Sequence, residues 1–252
     1  MNHDEYVRIV PGAETAVLFL HGICGTPRHF DQRLPLTHLV PEDWSVYSVR
    51  LPGHGNTVED FSKSTMKQWK QYVWKIFDRL SQTHRHVVVA GHSMGTLFSI
   101  QLALEKGEKV PFIFLIASPL CPRVSFRYVR LLAGVLFGNK PGKDKMRDAM
   151  HDTMGITTTR KLWKYAGWIP NFWNLLGECR RTKKLLPQLK TKTIVFQSRR
   201  DELVAFRSAK HLRRSEAVQM FVLEDSTHFF YGEADTKQVQ QAFVAACNEV
   251  RG

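Results

Sequence analysis

Short apolar runs alternate with amphipathic stretches along most of the chain. The runs are rich in β-branched and aromatic residues, and several are apolar throughout, as in strands that a parallel sheet buries on both faces. They predict strands at 16–20, 46–49, 86–90, 112–117, 193–197 and 220–223, with a weaker edge strand at 6–10. The amphipathic stretches predict helices at 28–39, 66–80, 94–106, 206–213 and 236–249. Because strands and helices alternate, we predict right-handed βαβ units and an α/β fold with a mostly parallel, doubly wound sheet.

This alternation stops between residues 120 and 188. No strand pattern occurs there, and the amphipathic pieces are rich in Leu, Trp and Arg, as in L-W-K-Y-A-G-W-I-P-N-F-W-N-L-L. Strand character resumes with T-I-V-F-Q at 193–197. We therefore predict a core formed by residues 1–119 and 189–252, and a helical, basic and aromatic lid formed by residues 120–188.

The charge of the chain is concentrated in the same region. The chain has 36 Lys and Arg against 23 Asp and Glu, a formal net charge of +13. The stretch 121–192 holds 16 of the basic and 4 of the acidic residues, so +12 of the excess lies in and beside the predicted lid. A solvated polar face, an anionic lipid surface and an anionic substrate all fit such a segment. No nucleic-acid recognition motif accompanies the charge, so we expect no nucleic-acid partner.

Cysteine usage and hydropathy bear on the compartment. The four cysteines are scattered without C-x-x-C spacing, which indicates free thiols and neither disulfides nor a metal site. The N-terminus lacks a signal-peptide pattern, and the apolar runs fall far short of the ~20 residues that a membrane span needs. We therefore expect a cytoplasmic protein, which the basic lid would bring to the membrane surface if it binds anionic lipid.

Residues 91–95 read G-H-S-M-G, between the strand pattern V-V-V-A and an apolar helical pattern. This is the context of a G-x-S-x-G nucleophile elbow, in which a strained strand-to-helix turn lifts the serine hydroxyl above the sheet. The glycines two residues before and after the serine leave room for that turn. The pattern predicts Ser93 as a catalytic nucleophile.

An activated serine needs a base, and the base needs an acid that orients it. Asp201 follows the strand T-I-V-F-Q, with Glu202 beside it and Asp225 further on as alternatives. His228 follows the strand M-F-V-L and is favoured over the ten other histidines because the order Ser, Asp, His is the one expected. Both predicted residues come after late strands, where open α/β sheets bind ligands.

Two backbone N–H groups are expected to bind the oxyanion of a tetrahedral intermediate. One is the N–H of Met94, directly after the nucleophile. The other is the N–H of Ile23, in the loop H-G-I-C-G-T-P at 21–27. In this loop we expect His21 to bond the backbone, whereas Cys24 lacks a base and is not expected to act as a nucleophile.

Together these segments resemble the α/β-hydrolase family, and within it small bacterial carboxylesterases and monoacylglycerol lipases. The resemblance extends to L-P-G-H-G-N-T-V-E-D-F at 51–61 with Trp69 downstream, R-D-E-L-V at 200–204 and S-T-H at 226–228. It implies an α/β-hydrolase fold with a helical lid inserted after the sixth strand, and ester hydrolysis without metal or cofactor. Thr96 and Ile23 depart from the family, which often has a glycine and an aromatic residue at these positions.

The resemblance implies a serine hydrolase that cleaves short- to medium-chain acyl esters, among them monoacylglycerols. The same three residues could act on a thioester, an amide or a carbon–carbon bond, and a non-catalytic binding protein is the remaining alternative. Aromatic and aliphatic side chains of the predicted lid are candidates for lining an acyl pocket or for packing the lid on the core: Phe126, Leu131, Trp163, Trp168 and Trp173.

Overall fold

The protein folds around one seven-stranded sheet in a computed structural model that describes residues 5–123, 125, 126, 128–130 and 145–252. The strand order is β1-β3-β2-β4-β5-β6-β7. All neighbours are parallel except β1, which is antiparallel to β3 at one edge. The predicted α/β fold is confirmed. The strands are β1 Tyr6–Arg8, β2 Thr15–Leu20, β3 Ser45–Val49, β4 His86–His92, β5 Phe112–Ile116, β6 Lys192–Ser198 and β7 Val218–Leu223.

Helices cover both faces of the sheet. Alternate residues of β2 enter different apolar clusters, because successive side chains of a strand point to opposite faces. Leu18 and Leu20 pack with α2 and α3, whereas Phe19 packs with Phe243 of α7. The described α-helices are α1 Val58–Lys63, α2 Met66–Thr83, α3 Met94–Lys106, α4 Lys145–Thr153, α5 Ile169–Leu185, α6 Ser208–Leu212 and α7 Glu233–Arg251.

The helix predicted at 28–39 does not form as one element. A π-helical turn at His29–Arg33 and a 3-10 turn at Thr37–Leu39 replace it. Pro35 lies between them, and proline neither donates a helical hydrogen bond nor allows a preceding helical turn. Conversely, α1 was not predicted. It starts with a capping box, in which the Thr57 side chain and the Asp60 backbone and side chain bond reciprocally.

The predicted lid follows the fifth strand, which corrects the expectation of an insertion after the sixth. Among the described residues, one short strand, β1, extends the sheet beyond β3, and β5 is the fifth strand from the N-terminus. The described part of this segment contains α4, a 3-10 turn at Leu162–Trp168, and α5. Leu131 lies outside the described residues. None of the helices that the structure describes is long and apolar enough to cross a membrane.

The predicted lid contacts the core at several points. The indole N–H of Trp168 donates to the Val58 carbonyl at 3.2 Å, and its ring lies 4.7 Å from the ring of Phe61. Further along the core, the N–H of Gly155 donates to the carbonyl of Cys24 at 2.9 Å. These contacts bring the segment against the loop that follows β2 and against α1.

Candidate active site

Ser93 stands where β4 ends and α3 begins, with φ 51° and ψ −120°. This left-handed φ is strained for a residue with a side chain, as expected of a nucleophile elbow. A Cβ on Gly95 would lie 2.0 Å from the Leu20 carbonyl oxygen, and one on Gly91 would lie 2.7 Å from the Gly95 carbonyl carbon. The elbow therefore requires both glycines. Thr96 follows Gly95, and its hydroxyl donates to the Ser93 carbonyl at 2.7 Å.

The structure brings Ser93, His228 and Asp201 into one hydrogen-bonded chain, although they are far apart in sequence. His228 Nε2 lies 3.1 Å from Ser93 Oγ, and His228 Nδ1 lies 2.8 Å from Asp201 Oδ2. All three side chains are buried. The Nδ1–H tautomer of the histidine would donate to the carboxylate and leave Nε2 to accept from the serine hydroxyl, as a general base requires.

The carboxylate that meets the histidine ring is Asp201. Its other oxygen, Oδ1, accepts the backbone N–H groups of Leu203 at 2.8 Å and Val204 at 2.7 Å, so the carboxylate is held in place. Neither sequence alternative reaches the ring in this arrangement. Glu202 accepts the backbone N–H of His228 at 3.1 Å, and Asp225 is exposed and forms an ion pair with Arg200 at 3.2 Å.

The surroundings of His228 favour its charged form. Burial alone lowers its pKa, but the charge and hydrogen bond of Asp201 and the charge of Glu202 together raise it above its usual value. These surroundings would stabilise an imidazolium at this position. The pKa of Glu202 is also raised, in this case by burial of the carboxyl. The charge of His228 and the hydrogen bond from its backbone N–H act in the opposite direction and lower it.

The two predicted oxyanion donors flank the serine. Met94 is the first residue of α3, so its N–H has no acceptor within the helix. On the other side, a Cβ on Gly22 would lie 2.9 Å from Ser93 Cβ, which shows how closely the loop before Ile23 approaches the elbow. Cys24 in this loop has a left-handed φ of 58°, and burial raises the pKa of its thiol, which disfavours the nucleophilic thiolate. The role of the Ile23 and Met94 amides stays a prediction.

Two further histidines lie behind His228. The rings of His29 and His92 stack at 3.6 Å, and His92 Nε2 lies 3.2 Å from the His228 carbonyl oxygen. Tyr231 reaches the far side of this stack, with its hydroxyl 3.1 Å from His29 Nε2. Burial lowers the pKa of both His29 and His92 well below the usual range, so the stack is neutral. In the sequence, His92 is marked as the residue before Ser93 in G-H-S-M-G, whereas nothing local marks His29 as a neighbour of the site.

The predicted lid residues divide by exposure. Trp168 is buried against the core, whereas Phe126, Trp163 and Trp173 are mostly exposed. Lining of an acyl pocket by these three side chains stays a prediction. Within the described ranges, no group of three or more His, Cys, Asp or Glu side chains is arranged to hold a metal ion.

Comparison with known proteins places the chain in a family. Residues 17–242 match the alpha/beta hydrolase family, which is most of the chain. The chain belongs to this family. Its strand order, its strained serine turn and the order of Ser93, Asp201 and His228 agree with that membership.

Individual relatives are more distant. The chain is 33% identical over 112 residues to the dihydrolipoyllysine-residue acetyltransferase component of the acetoin cleaving system of Cupriavidus necator, covering 44% of this chain and 28% of that protein. It is 33% identical over 109 residues to a thermostable monoacylglycerol lipase of a Bacillus species, covering 40% and 42% of the two chains. Both matches thus span less than half of either protein. A solved structure of a metagenome-derived lipolytic enzyme covers 98% of each chain with a TM-score of 0.72 and 20% identity, which shows a shared fold.

Proposed function

We propose that this protein is a serine hydrolase that cleaves carboxylic esters through an acyl-enzyme on Ser93. The observation that carries the proposal is the buried chain of contacts from Ser93 Oγ to His228 Nε2 at 3.1 Å and from His228 Nδ1 to Asp201 Oδ2 at 2.8 Å. Membership of the alpha/beta hydrolase family and the likeness to a monoacylglycerol lipase support it.

The proposed reaction has two halves. In the first, Ser93 Oγ attacks the ester carbonyl while its proton passes to His228 Nε2, and the N–H groups of Ile23 and Met94 bind the resulting oxyanion. Asp201 stabilises the imidazolium. The intermediate collapses to the acyl-enzyme, and the leaving alcohol takes the proton from His228. In the second half, water attacks the acyl carbonyl with the same proton transfers, which releases the carboxylic acid and restores the serine.

The proposed substrates are short- to medium-chain acyl esters, including monoacylglycerols. Partial identity to the Bacillus monoacylglycerol lipase supports this class. The predicted lid lies beside the loop that carries Ile23, because the N–H of Gly155 donates to the neighbouring Cys24 carbonyl and Ile156 packs in the core. An acyl chain is the part of such a substrate that apolar surface binds.

Replacing the nucleophile tests the proposal. We expect Ser93→Ala to lower kcat on p-nitrophenyl esters by roughly 10⁴–10⁶-fold, because both the nucleophile and the acyl-enzyme are lost. Initial rates would be measured across a series of acyl lengths and on monoacylglycerols. Ser81→Ala is the matched control, since its hydroxyl donates to the Asp78 carbonyl within α2, which is a different helix from the one that follows the elbow. A Ser93→Ala protein with activity within tenfold of wild type would contradict the assignment.

Labelling of Ser93 by a fluorophosphonate separates chemistry from substrate choice. Labelling together with a rate optimum at medium chains and glyceride cleavage supports the full proposal. Labelling with poor rates on every oxygen ester would retain the nucleophile and overturn the ester class, and matched thioester and anilide substrates would then be compared. No labelling of the folded protein would indicate a binding protein without turnover.

A further inference from the structure

One side of the predicted lid exposes large apolar side chains. Ile169 and Trp173 lie four residues apart on α5 and are 68% and 70% exposed. The 3-10 turn before this helix exposes Leu162 by 59% and Trp163 by 72%. Single exposed apolar residues are common on protein surfaces, but two tryptophans and two large aliphatic residues exposed on consecutive elements are typical of an interaction site.

The same side of α5 becomes basic toward its C-terminus. Residues that follow Trp173 by four, seven, eight and eleven positions share its side of a helix, and three of these are the exposed cations Arg180, Arg181 and Lys184. We call the exposed surface formed by Leu162, Trp163, Ile169, Trp173, Arg180, Arg181 and Lys184 the aromatic–basic face. Along α5 itself, the exposed apolar side chains lie toward the N-terminus and the cations toward the C-terminus.

A cleft between α2 and α5 extends this positive charge. Its volume is about 450 Å³, and its lining includes Trp173, Lys67, Lys70, Arg180 and Arg181. The one carboxylate in the lining, Glu178, already accepts a hydrogen bond from the amide of Gln101 at 2.7 Å. No ion pair joins Lys67, Arg180 or Arg181 to a carboxylate within the described part of the chain. The cleft therefore has an excess of positive charge.

A partner for this surface must bind both its exposed apolar side chains and its cations. Membrane interfaces bind Trp rings at headgroup depth and attract Lys and Arg to anionic lipids. A second copy of the chain fits less well, because a symmetric contact would bring two strongly cationic surfaces together. A nucleic acid would satisfy the cations but would leave the aliphatic side chains of Leu162 and Ile169 exposed.

We propose that the aromatic–basic face docks the protein on membrane surfaces that contain anionic lipid. Trp163, Ile169 and Trp173 enter the headgroup layer, and Arg180, Arg181 and Lys184 contact the lipid phosphates. The inference goes beyond the proposed function, because it concerns where the protein binds and does not depend on the reaction at Ser93.

The test is co-sedimentation of the full chain with vesicles of phosphatidylcholine alone or mixed with phosphatidylglycerol. We expect binding to the mixed vesicles at low salt, little binding to phosphatidylcholine alone, and release at high salt, because screening weakens contacts between exposed charges. The Arg180→Glu/Arg181→Glu protein should partition at least roughly 30-fold less, because two interfacial cations are lost and the two new carboxylates are repelled by anionic lipid. Trp163→Ser/Trp173→Ser should also reduce partitioning to the mixed vesicles.

Matched variants make the outcome specific. Arg213→Glu/Arg214→Glu changes the net charge equally at an exposed site outside the face, and Ile9→Ser removes an exposed apolar side chain elsewhere. Both should bind as wild type does. Equal loss in the Arg213→Glu/Arg214→Glu protein, or no binding of wild type to mixed vesicles, would overturn the proposal, as would dimerisation through this face in the absence of lipid.

Activity on a soluble p-nitrophenyl ester would be measured in the same samples. The Arg180→Glu/Arg181→Glu protein should keep the wild-type rate, because neither side chain belongs to the proposed catalytic machinery. A protein that docks but does not hydrolyse would therefore refute the proposed function alone, and one that hydrolyses but does not dock would refute this inference alone.

Discussion

Two adjacent carboxylates hold His228 from different directions. Asp201 bonds the imidazole ring, and Glu202 accepts the backbone N–H of the same residue. Both also favour a positive charge on the ring. Glu202 therefore acts as a positioning residue in the proposed mechanism, since it contacts the peptide of the base and not the substrate.

The pH–rate profile tests this role. The base must be neutral to accept the serine proton, so kcat/KM should rise as pH increases through the raised pKa of His228, above its usual value of about 6.5. Glu202→Gln keeps an acceptor for the His228 N–H but removes a negative charge, so the acid limb should move to lower pH while the plateau changes little.

Glu202→Ala separates charge from position. It removes the acceptor as well as the charge, so the plateau of kcat/KM should also fall, roughly tenfold for one lost buried hydrogen bond. If neither variant moves the acid limb relative to wild type, Glu202 has no electrostatic effect on the base. If both variants have the same plateau, its contact with the backbone N–H does not position His228.

At the scale of elements, Gly155 fits the predicted lid against the core. Its N–H donates to the Cys24 carbonyl, and its carbonyl accepts the N–H of Gly55 from the loop after β3. A Cβ at this position would lie 1.7 Å from Cγ2 of Thr26, a buried side chain with little freedom to move. The segment around Gly155 can approach the loop that contains Cys24 and Thr26 this closely because glycine has no Cβ.

Gly155→Ala should therefore push the predicted lid away from the loop that carries Ile23. We expect a loss of roughly 1–3 kcal/mol in the free energy of unfolding, as for other overpacked sites, and a lower kcat/KM on p-nitrophenyl esters. Chemical denaturation and initial rates would measure both. Gly177→Ala is the control, because a Cβ there meets nothing within 4 Å and alanine favours a helix. Equal effects of the two variants would contradict this account of the contact.

For the whole molecule, buried histidines link stability to pH. Burial lowers the pKa of His21 to about 4 and those of His29, His54 and His92 well below the usual range. His21 shows why: its Nδ1–H donates to the Gly22 carbonyl at 2.8 Å and its Nε2 accepts the Leu51 N–H at 3.1 Å, so a second proton would break a bond. In the folded protein these four groups are neutral near pH 7.

These histidines bind protons in the unfolded chain at a higher pH than they do in the folded protein. The free energy of unfolding should therefore fall as pH drops below about 6.5. From the lowered pKa of His21 alone, the free energy of unfolding should decrease by about 2 kcal/mol between pH 7 and pH 5. His228 opposes this trend, since its pKa is raised. Urea unfolding at several pH values measures the slope, and His21→Gln should be less stable at pH 7 but lose less stability on acidification. An unchanged slope in that variant would contradict the assignment.

Local sequence patterns were sufficient for the features that depend on neighbouring residues. The period of the apolar residues predicted the strands of a parallel sheet, because burial on both faces leaves continuous apolar runs. The spacing of Gly91, Ser93 and Gly95 predicted the elbow, because only glycines leave room for its turn. The positions of Asp201 and His228 after successive strands predicted their side of the sheet, since parallel strands end at one edge.

Tertiary structure decided the features that depend on residues far apart. Asp201 and not Glu202 meets the ring of His228, across 27 positions, and Ser93 and His228 meet across 135 positions. Packing likewise buries Trp168 while leaving Trp163 and Trp173 exposed. An amphipathic pattern shows that a helix has an apolar side, but only the arrangement of its neighbours determines whether that side meets the core or the surroundings.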